Sequence, residues 1–372
     1  MSLNPLLQLA ALGQSVWLDD IGRGMLEDGS LARLIRQDGV SGMTTNPAIF
    51  GKAIEGREYD SAIASRRRSG LDGAALYEAL VLEDVGRAAE LFLPVFERSA
   101  GRDGFVSIEV SPHLAFDAVG TVAQAKRLWS ALGRPNVMIK VPATHPGLTA
   151  VAQLTADGIN VNATLLFGVD RYRETAMAYL AGLEQRLRAG LPLEGIASVA
   201  SFFLSRIDSW VDKRLEALAG AGDRDGLVLS GQAAAVCARL AYQACKELHD
   251  SERWRKLARH GARPQRLLWA STGTKNPAYA DVKYVDAVIA SGTVNTMPLA
   301  TLEAYRNHGC PAVRIEEDLQ GARALPGILR RRGIDLEAVA EELERDGVRK
   351  FVEPYDATLE SLARRAGSEQ SS

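Results

Sequence analysis

The chain has 372 residues, of which 47% are hydrophobic and 24% charged, and its formal net charge at pH 7 is -2. This near-neutral balance provides no basic surface for nucleic acid or for an anionic membrane, and no apolar run reaches the length of a membrane span. The three cysteines show no CxxC spacing, and the five histidines form no HxH or HxxxH pair. We therefore expect a protein of the reducing cytoplasm, with neither a disulfide framework nor a metal site.

Short apolar segments alternate with amphipathic ones along most of the chain, and the two kinds predict strands and helices respectively. We predict strands over residues 15–18, 40–45, 105–110, part of 136–144, 159–166, 196–200, 267–271 and 285–292. We predict a helix within 21–38 and, within 48–104, one long amphipathic helix whose apolar period runs from Leu76 to Val95. Further helices are predicted over 121–132, 147–157, 168–189, 203–219, 229–250, 299–308, 320–332, 335–346 and 355–366. Residues 367–372 are predicted to be a polar tail.

The alternation of strands and helices predicts a parallel sheet. Eight such units without a Gly/Ser-rich or Pro-rich linker favour a closed (β/α)8 barrel over an open, doubly wound sheet. The dinucleotide fingerprint is also missing, since Ile21-Gly22-Arg23-Gly24 is only a fragment of GxGxxG. We expect one α/β domain, a TIM barrel over about 15–298 with additional C-terminal helices over about 299–366.

Lys140 follows the apolar run Val137-Met138-Ile139 near the end of a predicted buried strand. Lysine is rarely buried without a reason, and burial disfavours the ammonium form, leaving an amine that can attack a carbonyl carbon. The alternative is a lysine at a strand edge that reaches solvent or pairs with a carboxylate.

Chemistry in such barrels lies at the carboxyl ends of the strands. The predicted strand ends carry a ring of polar residues, namely Asp19, Thr44, Thr45, Asn46, Glu109, Lys140, Asn162, Thr164, Ser201, Ser271 and Asn295. Single members have structural alternatives, since Asp19 or Ser201 could cap a helix, Asn46 before Pro47 could form a turn, and Glu109 could pair with an arginine. An apolar barrel core has no need of the whole ring.

These residue types support carbonyl chemistry through an imine on Lys140. Glu109, acting through a water held by Thr164, could shuttle protons at the carbinolamine. Asp19 could act as base on a hydroxyl when a C–C bond is cleaved. The neutral side chains of Asn46, Asn162 and Ser201 suit sugar hydroxyls.

Two basic residues follow the sixth and seventh predicted strands, in the region where barrel enzymes often bind phosphate. Arg206 lies on the first turn of a predicted helix, and Lys275 lies in the loop Thr272-Gly273-Thr274-Lys275. That loop lacks the GxxxxGK[ST] pattern of a P-loop, and a simple turn is the alternative interpretation.

Five segments resemble a known family, the transaldolases of the class I aldolase superfamily. They are Thr44-Thr45-Asn46-Pro47, Ser107-Ile108-Glu109-Val110, Ile139-Lys140-Val141-Pro142-Ala143-Thr144, Ile159-Asn160-Val161-Asn162-Ala163-Thr164-Leu165-Leu166-Phe167 and Ala200-Ser201-Phe202-Phe203-Leu204-Ser205-Arg206. The resemblance covers the chain from about Val16 to Pro298. The length and the loop Ser271-Thr272-Gly273-Thr274-Lys275-Asn276-Pro277 are similar to the longer bacterial subfamily.

The resemblance implies an enzyme of the pentose phosphate pathway that uses no metal or organic cofactor. It would transfer a dihydroxyacetone unit from sedoheptulose 7-phosphate to glyceraldehyde 3-phosphate, giving erythrose 4-phosphate and fructose 6-phosphate. By this resemblance Lys140 would be the Schiff-base lysine, Glu109 and Thr164 would hold the catalytic water, and Asp19 would be the acid/base. The dihydroxyacetone unit would be bound by Asn46, Asn162 and Ser201, and the phosphate group by Arg206 and Ser271. Lys275 departs from the family, whose shorter members place an arginine near this position.

Several alternatives stay open at this point. Asp20 could replace Asp19 as the acid/base, and Arg266 could replace Lys275 at the phosphate. Fructose-6-phosphate aldolases, which are similar in fold, carry a tyrosine where this chain has Phe203, so transfer is favoured over a Schiff-base lyase. A catalytically idle sugar-phosphate-binding barrel is the third hypothesis. We expect sugar-phosphate substrates, no nucleic acid or membrane partner, and a monomer or homodimer.

Overall fold

The computed structural model of the chain describes residues 4–367, in which eight parallel strands close into a barrel in chain order, β8 pairing with β1. The strands are β1 Ser15–Asp19, β2 Val40–Thr44, β3 Val106–Glu109, β4 Val137–Pro142, β5 Val161–Leu166, β6 Ser198–Phe203, β7 Arg266–Ala270 and β8 Val294–Met297. The predicted (β/α)8 barrel is confirmed.

Sixteen α-helices lie among the described residues and surround the barrel. They are α1 Pro5–Ala11, α2 Arg23–Glu27, α3 Ser30–Gln37, α4 Pro47–Ile54, α5 Asp60–Arg68, α6 Gly73–Arg98, α7 Ala118–Leu132, α8 His145–Ala156, α9 Val169–Arg188, α10 Ser205–Gly220, α11 Ala233–Asp250, α12 Glu252–Arg259, α13 Lys283–Ala287, α14 Leu299–His308, α15 Leu319–Arg330 and α16 Leu336–Gly367. Short 3-10 helices span Arg57–Tyr59, Pro112–Leu114 and Arg224–Leu229. The predicted polar tail lies outside the described residues, apart from Gly367.

The barrel wall is apolar because its strands are covered by helices outside and filled by side chains inside. Every residue of β4, β5 and β6 is buried. Trp17 of β1 is fully buried and lies against Gly42 of β2, where an added Cβ would sit 2.4 Å from the Trp17 ring. Glycine at position 42 therefore makes room for the largest side chain of the first strand.

The predicted eighth strand over 285–292 is wrong. Its first part belongs to the short helix α13, and the strand that closes the barrel is β8, a few residues later. Val285, Val288 and Ile289 are all fully buried, and a short apolar run of this kind does not distinguish a buried strand from a buried helix. The true strand was missed because Asn295 and Thr296 break its apolar character.

The two predicted C-terminal helices, 335–346 and 355–366, are one continuous helix, α16. Gly347 and Pro354 suggested a break between them. The chain stays helical because this middle part packs against the barrel, with Val348, Phe351 and Tyr355 buried. Packing here outweighs the helix propensity of single residues.

Other boundaries moved by a few residues. β6 spans Ser198–Phe203, whereas the prediction ended it at Ala200, and residues 48–104 contain α4 and α5 before the predicted long helix, α6. Among residues 4–367, no helix is both long enough and apolar enough to cross a bilayer.

Candidate active site

The carboxyl ends of the strands surround a cavity of about 1060 Å³. Seven of the eight strands contribute side chains to its lining: Asp19, Thr44, Lys140, Thr164, Ser201, Phe203, Ala270 and Thr296. Asn46, Arg206, Ser271 and Lys275 line it from the loops and helix starts that follow the strands, and Lys350 and Phe351 line it from α16. The predicted ring of polar strand ends is thus largely brought together here.

Lys140 lies on β4, in register with Glu109 of β3 and Asn162 of β5. Its residue exposure is only 4%. The Nζ atom donates a hydrogen bond of 3.0 Å to the carbonyl oxygen of Thr45 and lies 3.5 Å from Oε2 of Glu109. It also lies 5.3 Å from the ring centroid of Phe351. The amine is therefore held at the base of the cavity between a carboxylate and an aromatic ring.

Glu109 approaches the Lys140 amine from outside the main cavity. Its side chain is 4% exposed and lines a separate cavity of about 350 Å³. Neither carboxylate oxygen has a hydrogen-bond donor among the described residues. Burial raises the pKa of Glu109 to about 7, against the opposing effect of the Lys140 charge. A carboxyl group of this kind can both give and take a proton near neutral pH.

Asp19, at the end of β1, lines the same cavity as Lys140. Its Oδ1 accepts a 2.7 Å hydrogen bond from Thr44, whose hydroxyl also lies 2.6 Å from that of Thr296. Burial raises the pKa of Asp19, and the charge of Lys140 is the first influence that opposes it. Asp20 also lines the cavity, and its pKa is raised by burial, but the cation that acts on it is Lys52. The charge of Lys140 thus acts on Asp19 and not appreciably on Asp20, which favours Asp19 as the carboxylate associated with Lys140.

Two neutral hydroxyl groups lie beside the amine. The Oγ1 atom of Thr164 is fully buried and has no hydrogen-bond partner among residues 4–367. Ser201 donates a 2.6 Å hydrogen bond to Oδ1 of Asn162, and Nδ2 of Asn162 donates one of 3.0 Å to Ser107. Thr164 is therefore free to bind a water or a ligand oxygen, whereas Asn162 holds Ser201 in place.

Four members of the predicted ring do not line the cavity. Glu109 is one of them, and the other three, Thr45, Asn162 and Asn295, are fully buried. Asn46 lines it, but its Oδ1 also accepts a 3.1 Å hydrogen bond from the backbone of Ile49 and so caps α4. The alternative for Asn46 was a turn, and the structure instead makes it the N-cap of α4, which leaves the Nδ2 group of this side chain for a ligand.

One end of the cavity is rich in cations. Arg206 stands on the first turn of α10, and its Nε and Nη1 atoms have no hydrogen-bond partner among the described side chains and backbone. Burial lowers the pKa of its guanidinium. The guanidinium carbon lies 5.4 Å from the ring centroid of Phe203. Ser271 lies beside it at a left-handed φ of 54°, with its hydroxyl 2.9 Å from that of Ser205.

Lys275 and Lys350 also line this end of the cavity. The pKa of Lys275 is lowered by partial burial and, next, by the charges of Arg206 and Lys350. No carboxylate of residues 4–367 lies within ion-pairing distance of Lys275. An arrangement of cations with unfilled donors suits an anion such as a phosphate group.

Residues 16–362 match the family described as Transaldolase/Fructose-6-phosphate aldolase. The chain belongs to this family. A protein named Transaldolase from Thiobacillus denitrificans is 46% identical over 97% of this chain and 100% of its own. The Transaldolase of Thermobifida fusca is 46% identical over 97% and 98%. Transaldolase 1 of Streptomyces avermitilis is 47% identical over 96% and 94%.

In this member of the transaldolase/fructose-6-phosphate aldolase family, Arg266 does not line the cavity that contains Lys140. Arg266 is the first residue of β7, at the amino end of the barrel. Its Nη2 atom donates hydrogen bonds of 2.6 and 2.8 Å to Ser15 and to the carbonyl oxygen of Thr293. Lys275, not Arg266, therefore accompanies Arg206.

Sequence reasoning missed the contribution of α16 to this family member's cavity. The spacing of Val348, Phe351 and Tyr355 indicates the buried face of a helix, but it does not show which surface that face covers. It also missed the carbonyl oxygen of Thr45, because a backbone acceptor leaves no signal in the residue types.

Proposed function

We propose that this protein is a transaldolase. It would move a dihydroxyacetone unit from sedoheptulose 7-phosphate to glyceraldehyde 3-phosphate through a Schiff base on Lys140, giving erythrose 4-phosphate and fructose 6-phosphate. The observation that carries the proposal is the buried Lys140 amine, 3.5 Å from a carboxyl group whose pKa is raised to about 7. Family membership supports the same assignment.

The first step is attack of the Lys140 amine on the ketone carbon, which gives a carbinolamine. Its hydroxyl group leaves as water when Glu109 supplies a proton, either directly or through a water bound by Thr164. The unpartnered Oγ1 of Thr164 supports this placement of the water. The product is a protonated imine, which can accept an electron pair from the neighbouring C–C bond.

Asp19 serves the second step. Its carboxylate removes the proton from the hydroxyl group on the second carbon beyond the imine carbon. The bond between the first and second of these carbons then breaks, and the electron pair of that bond moves towards the protonated imine to form an enamine. The aldose leaves, the acceptor aldehyde takes its place, and the enamine carbon attacks it while Asp19 returns the proton. Asn46 and Ser201 support the hydroxyl groups of the three-carbon unit, with Asn162 holding Ser201.

The cationic end of the cavity binds the phosphate group of both substrates. Arg206 and Ser271 supply hydrogen-bond donors, and Lys275 supplies a charge. Because the phosphate lies at one end and Lys140 at the base, a phosphorylated sugar would be fixed with its carbonyl carbon directed towards the amine.

The alternative is a fructose-6-phosphate aldolase, an activity that the family description also includes. Phe203 favours transfer. Its side chain lines the cavity with an exposure of 7%, and a phenyl ring cannot hydrogen-bond a water. We therefore expect slow hydrolytic release of the three-carbon unit. We also propose a cytoplasmic location, in keeping with three free cysteines of which two are buried.

The test is reduction with borohydride in the presence of fructose 6-phosphate, followed by mass spectrometry of the intact protein and its peptides. We expect a reduced dihydroxyacetone adduct on Lys140 and none in a folded Lys140→Ala variant. Lys52→Ala, which removes another amine of the same cavity, should keep the adduct. A folded wild-type protein that binds the sugar without forming any adduct would favour the idle barrel.

A second measurement separates transfer from cleavage. When erythrose 4-phosphate is added before borohydride, a transaldolase should discharge the bound unit as sedoheptulose 7-phosphate, and the adduct should disappear. Rapid release of free dihydroxyacetone without an acceptor would instead support the aldolase.

A further inference from the structure

The C-terminal helix α16 closes one side of the cavity that contains Lys140. Phe351 is 3% exposed and its ring centroid lies 5.3 Å from Nζ of Lys140. The neighbouring residue, Lys350, lines the same cavity. Further along, Arg365 donates hydrogen bonds to the carbonyl oxygens of Ile54 and Glu55 at the end of α4. One part of α16 thus contacts Lys140 of the barrel, and another part is hydrogen-bonded to the end of α4.

Lys350 stands at the cationic end of this cavity, together with Arg206 and Lys275. The charge of Lys350 acts on Lys275 with the same sign as that of Arg206, since both lower the pKa of Lys275 after the larger effect of burial. These three residues, which we call the cation triad, therefore lie within electrostatic range of one another. Cations so close together repel, and the repulsion is relieved when an anion binds.

The Asp346 carboxylate pairs with only one member of the triad, Lys350, and forms no ion pair with Arg206 or Lys275 among residues 4–367. Asp346 acts on Arg206 and Lys275, but its Oδ2 lies 2.5 Å from Nζ of Lys350 and its Oδ1 2.5 Å from Nη2 of Arg349. Both oxygens are thus taken by cations of its own helix. With Asp346 and Arg349 included, the group holds four cations and one anion, and two nitrogen atoms of Arg206 still lack an acceptor.

We propose that Lys350 is the third cation of the phosphate-binding site, so that α16 takes part in binding the phosphorylated sugar. The inference rests on the proposed function, because it assigns a further residue to the same site. It concerns a residue of α16, and none of the five transaldolase-like segments of the sequence analysis includes that helix. Lys350 presents a point charge on a flexible stem, and it would approach the phosphate from the side opposite to the barrel.

The test compares Lys350→Ala with Arg349→Ala. The control removes a cation from the same turn of α16 and from the same carboxylate, but Arg349 does not line this cavity. We expect Lys350→Ala to raise the KM for fructose 6-phosphate roughly tenfold, with kcat nearly unchanged. Trapping of unphosphorylated fructose on Lys140 should be unaffected. Arg349→Ala should behave as the wild type, and Lys350→Arg should restore most of the affinity.

The possible outcomes are distinct. Equal KM values for fructose 6-phosphate in Lys350→Ala and Arg349→Ala would overturn the inference while leaving the transaldolase proposal intact. Equal losses with fructose and with fructose 6-phosphate in Lys350→Ala would show that Lys350 only supports the structure, and would overturn it too. A wild-type protein that forms no adduct would refute the proposed function itself.

Discussion

Glu109 is a buried carboxyl group whose two oxygen atoms have no hydrogen-bond partner among the described residues, and the nearest cation is Lys140, whose Nζ atom lies 3.5 Å from Oε2. Burial makes its charged form costly, and Lys140 offsets only part of the cost, so that the pKa rises from 4.5 to about 7. A raised pKa means that the folded state binds the proton more tightly than the unfolded state. The contribution of this proton to the free energy of unfolding is fully present below about pH 4.5 and is lost as the pH rises through about 7.

The first prediction concerns this ionisation. The free energy of unfolding of the wild type should fall between pH 5 and pH 8.5, relative to that of Glu109→Gln, by on the order of 2 kcal/mol. Urea unfolding of both proteins at several pH values measures the difference. A difference that does not change with pH would mean that Glu109 keeps an ordinary pKa in the folded protein.

The second prediction concerns Arg206. Its unsatisfied nitrogen atoms would be filled by a phosphate group, so Arg206→Ala should raise the KM for phosphorylated sugars by roughly ten- to a hundredfold, with little effect on imine formation from fructose. Arg214→Ala is the control, since Arg214 is on the same helix and stacks on Trp210. If Arg206→Ala slowed imine formation from fructose by the same factor as it raised the KM for phosphorylated sugars, Arg206 would have a structural role.

The positions of most site residues followed from their place at strand ends, because parallel strands in a barrel present their carboxyl ends to one face. What the residue types could not give was the direction of each side chain. The choice between Asp19 and Asp20, and the burial of Asn162 away from the cavity, depend on the stagger of neighbouring strands. The left-handed backbone of Ser271 was equally hidden, since serine carries no signal for it.

Most helices and the first seven strands lie close to their predicted positions, and the errors lie where a local sequence signal conflicts with packing. The long run from Leu76 to Val95 lies in α6 as expected. The short run from Val285 to Gly292 was assigned to the wrong kind of element. α16 was divided in two because Pro354 is a local breaker, whereas its continuity comes from packing of distant parts of the chain.

The junction of β4 and α8 fixes the position of Lys140 and leads to a third prediction. A Cβ added to Gly147 would lie 1.9 Å from the carbonyl oxygen of Pro142, at the end of β4. Gly147→Ala should therefore destabilise the fold by about 1–3 kcal/mol and reduce imine formation. Nothing lies within 4 Å of a Cβ added to Gly220, at the end of α10. Gly220→Ala should be neutral or slightly stabilising, by up to about 1 kcal/mol.

Urea unfolding measures both glycine variants, and borohydride trapping measures the amine. If Gly147→Ala were as stable as Gly220→Ala, the contact with Pro142 would not constrain the junction. If Gly147→Ala were unstable but trapped fructose 6-phosphate at the normal rate, the junction would support the fold without positioning Lys140.

The barrel and the C-terminal helices share one core. Phe351, Tyr355 and Leu362 of α16 belong to the same buried cluster as the strands. We therefore propose that residues 15–298 and 299–366 form a single cooperative unit, and the fourth prediction follows. Hydrogen exchange of α16 amides should show the same dependence on urea as that of β4 amides. Exchange of α16 at lower urea would indicate a separately unfolding C-terminal part.

The place of α16 in the sequence has a consequence for synthesis. The ribosome makes all eight strands before it makes α16. Because α16 completes the core of the proposed cooperative unit, the nascent chain should reach its full stability only after this helix has left the ribosome. The wall that Phe351 forms beside Lys140 is then among the last parts of the pocket to be built.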